Sequence, residues 1–161
     1  MVILGIDPGL EVAGFGVLKK NGAKPQLIDY GYLKQSPRTP VGERVSVFSS
    51  FIQQKIIQHN VTHIALETPF LGKNAQTFLK LGYLRGVVYD RAHQHGIIVS
   101  EYAPMQVKCS VTGYGKASKE QVARVVMQLF YGLKMPEKYD VTDALALTLC
   151  GYWTSSSRLS A

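Results

Sequence analysis

The chain has 161 residues, of which 46% are hydrophobic and 18% are charged. This length is that of one ordinary domain, and the composition excludes a disordered protein. The formal net charge of +7 favours an anionic partner, most commonly nucleic acid, although charge alone does not separate DNA from RNA, an acidic protein or a membrane surface. No apolar run approaches the ~18 residues that span a membrane, and Cys109 and Cys150 form no disulfide framework, so we expect a soluble, cytoplasmic protein.

The first part of the chain predicts three strands joined by hairpins. An apolar run over residues 2–6 ends at an Asp-Pro-Gly turn, and a second hairpin signal lies at Asn21-Gly22. The further predicted strands cover residues 12–18 and 26–34. From residue 40 to 59 the apolar residues recur at steps of three and four, which predicts a helix.

The remainder of the chain alternates strands and helices. We expect strands over residues 62–66 and 97–102, and helices over residues 74–95, 118–131 and 141–153. Ser118 and Gln121 form a capping-box signal at the start of the second of these helices. This order predicts an α/β fold in which a mixed five-stranded sheet is flanked by helices. We expect one domain over residues 1–153 and a flexible, Ser-rich tail over residues 154–161.

Four acidic residues stand at positions where they can meet. Asp7 and Glu67 each follow an apolar strand, so both are expected at the rim of the sheet where ligands of α/β proteins collect. Asp140 and Asp143 are three residues apart at the start of a helix and share one face. Hard divalent cations such as Mg²⁺ or Mn²⁺ prefer this oxygen-rich donor set. Taken singly, Asp7 is better explained as a turn residue and the two later aspartates as a helix-capping pair, so the metal site depends on the whole set.

Short motifs occur in a fixed order along the chain. They are Gly5-Ile6-Asp7-Pro8-Gly9-Leu10 with Gly14-Phe15-Gly16, Leu66-Glu67-Thr68-Pro69-Phe70, Lys73-Asn74-Ala75, Leu81-Gly82 with Arg85-Gly86, Pro104 to Lys108, Gly113-Tyr114-Gly115, Lys119-Glu120-Gln121-Val122, and Asp140 to Ala146. In this order and spacing the motifs resemble those of the RuvC-type Holliday-junction resolvases, over residues 2 to about 150. Thr68-Pro69, Lys116 and Ser118 depart from the commonest residues of that family, which leaves the details of its DNA contacts open.

The resemblance implies an RNase H-like fold and a crossover junction endodeoxyribonuclease that acts in homologous recombination and DNA repair. Such an enzyme resolves Holliday junctions by paired, metal-dependent hydrolysis that leaves 5′-phosphate and 3′-hydroxyl ends. The resemblance assigns catalysis and metal binding to Asp7, Glu67, Asp140 and Asp143. We expect two Mg²⁺ ions about 3.5–4 Å apart, with Asp7 bridging them and Mn²⁺ as a substitute. The implied partners are a second copy of the chain and the RuvA–RuvB branch-migration complex.

Five residues are candidates for DNA contacts. The resemblance places DNA-binding basic residues at Lys108 and Lys119. At Lys119 the positive end of the helix dipole would help to hold a phosphate. Without the resemblance, both lysines would be taken as solvated side chains. Lys116 and Arg124 are further candidates. Phe70 either wedges between bases of the junction or staples the following helix, and the resemblance favours the wedge.

The long helix predicted from residue 74 is a candidate dimer surface. It carries two apolar stripes, and only one of them is needed to cover the sheet. The residues expected at the interface are Leu81, Gly82, Leu84, Arg85 and Val88. The alternative is a helix buried within its own domain. A two-fold dimer would match the two strands that must be cut in a four-way junction.

Three other functions compete with junction resolution. An RNase H-like nuclease acting on RNA would share the same strand and carboxylate plan. An actin-like or sugar-kinase ATPase also opens with a strand, Asp-x-Gly and a hairpin, but it needs a second phosphate loop and a second domain for which this chain has no room. A DNA-binding module without enzymatic activity would explain the net charge of +7 but not four convergent acids.

Overall fold

The computed structural model describes residues 1–21, 24–69, 75–130, 133 and 139–157. Within these residues it contains a five-stranded sheet and five helices. The strands are β1 (Val2–Asp7), β2 (Val12–Asn21), β3 (Lys24–Lys34), β4 (His63–Glu67) and β5 (Ile98–Tyr102), and the helices are α1 (Val41–His59), α2 (Ala75–Gln94), α3 (Pro104–Thr112), α4 (Lys119–Leu129) and α5 (Tyr139–Ser157).

The sheet has the strand order β3-β2-β1-β4-β5. The first three strands form antiparallel hairpins, whereas β4 pairs with β1, and β5 with β4, in parallel. The mixed five-stranded sheet predicted from the sequence is therefore confirmed. Because β1 and β4 are parallel neighbours, their carboxyl ends lie at the same edge of the sheet.

Each face of the sheet is covered by its own set of helices. Along β1, Ile3 packs toward α3, α4 and α5, while Leu4 and Ile6 pack toward α1 and α2. This alternation is the period-two pattern of a strand buried on both faces. Leu4 and Ile6 have no exposed surface, and each such side chain contributes about 1.5–3 kcal/mol through burial.

Glycines allow α5 to lie unusually close to the sheet. A Cβ atom added at Gly14 of β2 would lie 2.0 Å from the backbone oxygen of Asp140, and one added at Gly5 would lie 2.1 Å from Oγ1 of Thr148. The Thr148 hydroxyl is fully buried between the helix and the sheet, where its bonds go to the backbone oxygens of Ala144 at 2.7 Å and Gly16 at 3.2 Å. Backbone contact at these glycines thus places the first turn of α5 above β1 and β2.

A half-buried ion cluster fastens α1 to β3. Lys55 Nζ and His59 Nε2 lie 2.6 Å and 2.8 Å from the same carboxylate oxygen of Asp29. Burial raises the pKa of Asp29, but the hydrogen bonds from the two partners outweigh it and hold the pKa below its ordinary value. Lys55 Nζ also lies 4.4 Å from the centre of the Phe15 ring. The cluster lies on the far side of the sheet from α5.

Two elements differ from the sequence prediction. Helix α3 was not predicted; it begins with Pro104 in its first turn and ends at Gly113, which has a φ of 75°. Helix α5 begins at Tyr139 rather than at residue 141 and continues to Ser157, so the flexible tail predicted from residue 154 begins inside a helix. The hydroxyls of Thr154 and Ser155 donate to backbone oxygens of the preceding turn, which lets these polar residues remain helical.

No helix among the described residues is long and apolar enough to cross a membrane. Cys109 is exposed and Cys150 is buried, and both are free thiols.

Candidate active site

Two carboxylates stand side by side at one edge of the sheet. Asp7 is the last residue of β1 and Glu67 the last residue of β4. In the parallel pairing of these strands Ile6 lies opposite Leu66, so the acids that follow are neighbours. The strand ends therefore bring together the first two acids of the predicted site.

The second pair of acids comes from the first turn of α5. Asp140 lies within this turn, one residue after the start of the helix, and Asp143 follows three residues later. The alternative in which Asp140 is the N-cap residue is wrong, because the helix already begins at Tyr139. Asp7 pairs with Gly14, and the backbone of Asp140 rests against Gly14, so the turn lies directly over the end of β1.

Three of the four acids line one small cavity. Asp7, Glu67 and Asp143 surround a space of about 120 Å³ that is also lined by Lys108 and Lys119. The first cation comes from α3 and the second from the start of α4, whose capping box at Ser118 and Gln121 is present as predicted. Asp140 does not line this cavity and instead lines a neighbouring groove.

The acids perturb one another strongly. The pKa of Asp7 is raised from 3.8 to about 7, chiefly by burial and then by repulsion from Asp143, Asp140 and Glu67. The pKa of Glu67 is also raised, by burial and then by Asp143. Negative charge is therefore crowded at this edge of the sheet, and a bound cation would relieve the repulsion.

The donor set fits a hard divalent cation, but the side chains are not arranged around one. Among the residues that the structure describes, no group of three acidic, histidine or cysteine side chains is already placed to hold an ion. One reason is that Lys119 Nζ donates to Oδ2 of Asp143 at 2.8 Å. This hydrogen bond raises the pKa of Lys119, so the lysine is charged at neutral pH.

Comparison with known proteins connects this site to a family. A family model described as crossover junction endodeoxyribonuclease RuvC matches residues 3–151. The chain belongs to the RuvC family. A RuvC from Pelodictyon phaeoclathratiforme is 40% identical over 158 residues, covering 98% of this chain and 83% of the relative. A RuvC from Halothermothrix orenii is 37% identical and covers 93% of this chain and 91% of the relative.

Solved structures support the same placement. The RuvC of Thermus thermophilus, in complex with a Holliday junction substrate, superposes with a TM-score of 0.90 at 32% identity, covering 98% of this chain and 96% of that one. The yeast mitochondrial Holliday junction resolvase Ydc2 gives a TM-score of 0.70 at 14% identity, covering 98% of this chain and 80% of that one; it supports the fold alone. The predicted RNase H-like fold is therefore confirmed.

An arginine of α2 holds the end of β4, a role that sequence reasoning missed. Arg85 donates through Nη1 to the backbone oxygen of Glu67 at 2.6 Å and pairs through Nη2 with the carboxylate of Glu101 on β5. The hydroxyl of Tyr89 donates to the same carboxylate. This bonding ties the backbone under Glu67 to both β5 and α2. The sequence predicted Arg85 at a dimer interface. Its place between Tyr83 and Tyr89 on the same helix was the only signal of another role.

The cavity of the acids does not include the other candidates for DNA contact that the structure describes. Lys116 and Arg124 are exposed, and neither lines the cavity of Asp7 and Glu67. Phe70 lies outside the described residues, so its predicted role as a wedge stays a prediction.

The predicted dimer surface needs a correction at two positions. Leu84 and Val88 have no exposed surface, because they pack into this chain's own core against α1 and the sheet. They therefore do not form an interface. Gly82 is exposed, and Leu81 and Arg85 are half-buried. The apolar residues that α2 exposes are instead Leu79, Tyr83 and Tyr89.

Proposed function

We propose that this chain is a structure-selective endonuclease that resolves Holliday junctions in recombination and repair. The observation that carries the proposal is the convergence of three carboxylates and two lysines on one cavity at the sheet edge, in a chain of the RuvC family. The carboxylates alone would repel DNA, so a binding module without a metal is disfavoured. The substrate is a four-way DNA junction, and the products are 5′-phosphate and 3′-hydroxyl ends.

The four acids would hold Mg²⁺, with two ions at each site and Mn²⁺ as a substitute. When bound, the cations supply an activated water and stabilise the leaving oxygen of the phosphodiester. Asp7 would stand at the centre of the residues that hold the ions, because Glu67 lies beside it on the neighbouring strand and Asp143 lines the same cavity from α5.

The two lysines neutralise the phosphate that enters this cavity. Lys119 lies at the start of α4, where unpaired backbone N–H groups and the helix dipole add to its positive charge. Its bond to Asp143 holds the ammonium group at the cavity until substrate arrives. Lys108 approaches from α3, and its positive charge lowers the pKa of Glu67 against the effect of burial. Both groups favour the extra negative charge that develops on the phosphate during hydrolysis.

The direct test is cleavage of a synthetic four-way junction with and without Mg²⁺. We expect symmetric nicks in two strands, and we expect Asp7→Asn and Glu67→Gln to abolish them while junction binding persists. Glu43→Gln is the matched control, because Glu43 is an exposed acid of α1 and should leave cleavage unchanged. Binding of the junction without cleavage, whichever divalent cation is added, would contradict the proposal. Cleavage of an RNA–DNA hybrid in preference to the junction would contradict it too.

The active form in this proposal is a homodimer built on the exposed face of α2. Leu79 and Tyr83 are 60% and 53% exposed on this face, and nothing lies within 4 Å of a Cβ atom added at Gly82 or Gly86. Such a face allows two helices to approach closely and bury apolar surface. Tyr83→Lys should shift the protein from dimer to monomer in analytical ultracentrifugation, while Tyr114→Lys, at an exposed tyrosine in the loop between α3 and α4, should not. Cooperation with a RuvA–RuvB branch-migration complex rests on family membership alone.

A further inference from the structure

A second cavity, which we call the Arg44 groove, lies beside the candidate active site. It has a volume of about 590 Å³ and is lined by the β1–β2 turn at residues 9–12, by Arg44 of α1, by Lys80 of α2 and by Asp140. Asp140 is thus shared between the groove and the cluster of acids, since its charge raises the pKa of Asp7. A ligand in the groove would be a direct neighbour of a ligand at the acids.

Arg44 is an unusual residue for the place it occupies. It stands on the buried stripe of α1 with Phe48, Ile52 and Ile56, and it is only 7% exposed. Its Nε atom is buried and has no hydrogen-bond partner among the described residues. A buried N–H donor without an acceptor is unfavourable for folding. The chain therefore retains at the wall of this groove a cation with one unused hydrogen-bond donor.

The side-chain amide of Gln35, near this groove, also has a nitrogen that is unpaired within the described residues. Gln35 Nε2 is the other buried side-chain nitrogen without a partner in the described part of the chain. Gln35 is held next to the groove, because its backbone N–H donates to the backbone oxygen of Glu11, which is a lining residue. Both unsatisfied groups are donors, and Arg44 is the one that lines the groove, so a ligand that pairs with it must supply acceptors.

The charges around the groove define the ligand further. Lys80 is exposed and adds a second cation to the wall that carries Arg44. Glu11 and Asp140 line the groove as well and would repel an anion. Glu11 is exposed and screened by water, whereas Asp140 would be neutralised by the divalent cation of the proposed function. A phosphate group, which has acceptor oxygens only and can accept two parallel N–H bonds from the planar guanidinium, fits this balance.

We propose that the Arg44 groove binds a backbone phosphate of the DNA substrate, next to the phosphate that is cut. This inference rests on the proposed function, because it takes the junction as the ligand of the neighbouring acids. Arg44 and Lys80 then fix the path of the strand in a groove separate from the cavity of Lys108 and Lys119. They act by binding and positioning the strand, not on the reacting atoms.

The first experiment measures single-turnover cleavage of a four-way junction in Mg²⁺ over a range of salt concentrations. Lys80→Gln should raise the half-saturating enzyme concentration about tenfold. In a plot of the logarithm of that concentration against the logarithm of the salt concentration, the slope should fall by about 0.9, as expected for one lost phosphate contact. Lys19→Gln is the matched control, since Lys19 is an exposed lysine at the opposite end of the sheet, paired with Val2. A slope for Lys80→Gln equal to that of Lys19→Gln would overturn the inference. If the unmodified protein itself does not cut the junction, the proposed function fails instead.

Arg44 requires a second readout, because a buried residue can affect folding. Arg44→Met keeps an unbranched stem and removes the unpaired charge, so it should weaken junction binding about tenfold while leaving the urea midpoint of unfolding unchanged or higher. A purely structural arginine would give the opposite result, with a lower midpoint and no change in the salt slope. Arg44→Lys retains the charge and should recover part of the lost affinity.

A third experiment separates DNA backbone from free phosphate as the ligand. Neutral methylphosphonate linkages are placed one at a time around the cut site. At one position the substitution should weaken binding by the unmodified protein but cause no further loss in Lys80→Gln, because both changes remove the same contact. Additive losses at every position, together with stabilisation of the protein by inorganic phosphate that Arg44→Met abolishes, would assign the groove to a free phosphate and refute the DNA assignment.

Discussion

Asp7 gives the sharpest test of the electrostatics at the candidate site. In the metal-free protein its pKa is raised from 3.8 to about 7, with burial as the first cause and the neighbouring acids as the next. A rise of this size corresponds to about 4 kcal/mol of destabilisation when the carboxylate is charged in the folded state. Asp7→Asn removes the charge and should therefore raise the free energy of unfolding at pH 8, by at most about 4 kcal/mol.

The pH dependence follows from the sign of the shift. Because the folded protein binds the proton of Asp7 more tightly than the unfolded chain does, the stability of the unmodified protein falls as pH rises from about 4 to about 7. The gain from Asp7→Asn should be complete above pH 7, should shrink as pH falls toward 4, and should vanish only below the ordinary pKa of 3.8, where the carboxyl is neutral in both states.

Urea unfolding in EDTA at pH 4.5, 6 and 8, at one protein concentration, measures this gain. Asp90→Asn is the control, since Asp90 is an exposed acid of α2 and its loss should change stability little at any pH. Adding Mg²⁺ should then stabilise the unmodified protein more than Asp7→Asn, because the cation needs the carboxylate. An Asp7→Asn variant that is less stable at pH 8 without metal, or a gain that does not depend on pH, would refute the reasoning.

Three further predictions concern the groups that support the site and the sheet. Asp29→Asn should lower the free energy of unfolding by about 1 kcal/mol at pH 7, because it removes the partner of a lysine and a histidine. Since the pKa of Asp29 is lowered, this loss of stability should shrink as pH falls below 3.8. Urea unfolding at pH 7 and pH 3 would check both expectations. Glu101→Gln should raise the Mg²⁺ concentration for half-maximal cleavage by about tenfold, because it releases Arg85, which holds the end of β4. The dissociation constant of Mg²⁺ measured by calorimetric titration should rise to the same extent. Gly14→Ala should lower stability by about 1–3 kcal/mol and cleavage by about a hundredfold, because the new methyl group collides with the backbone of Asp140. Gly42→Ala, where nothing lies within 4 Å of the new methyl group, should instead stabilise α1 by about 0.5–1 kcal/mol, and the same urea series compares the two.

The candidate acids could be predicted from the sequence because each one is fixed by local structure. A buried strand that ends at a turn places its last residue at the sheet edge, and the two strands concerned carry unmistakable apolar runs. The three-residue spacing of Asp140 and Asp143 needs only the helix period. What the sequence did not reveal is that Asp140 faces the Arg44 groove rather than the cavity of the other three acids.

The errors arose where tertiary packing decides the outcome. Leu84 and Val88 belong to an apolar stripe that fits a partner helix and a domain core equally well, and the pattern cannot tell one from the other. Arg44 occupies a position of the buried stripe of α1, and only the structure shows that a charge is kept there. Helix α3 was missed because its nine residues carry only two buried side chains, too few to set a helical period.

The same glycine contact explains why the four acids come together at all. Asp7 is opposite Gly14 in the β1–β2 hairpin, and the absence of a side chain at Gly14 lets the backbone oxygen of Asp140 rest on that strand. The hairpin register therefore decides which residue of α5 lies over the end of β1. Because this is a contact between backbones, it fixes the helix without using any carboxylate, and the acidic side chains remain available for cations. The cost of crowding them falls on the stability of the metal-free protein and is concentrated at Asp7, whose pKa is raised to about 7 by burial and by the neighbouring acids.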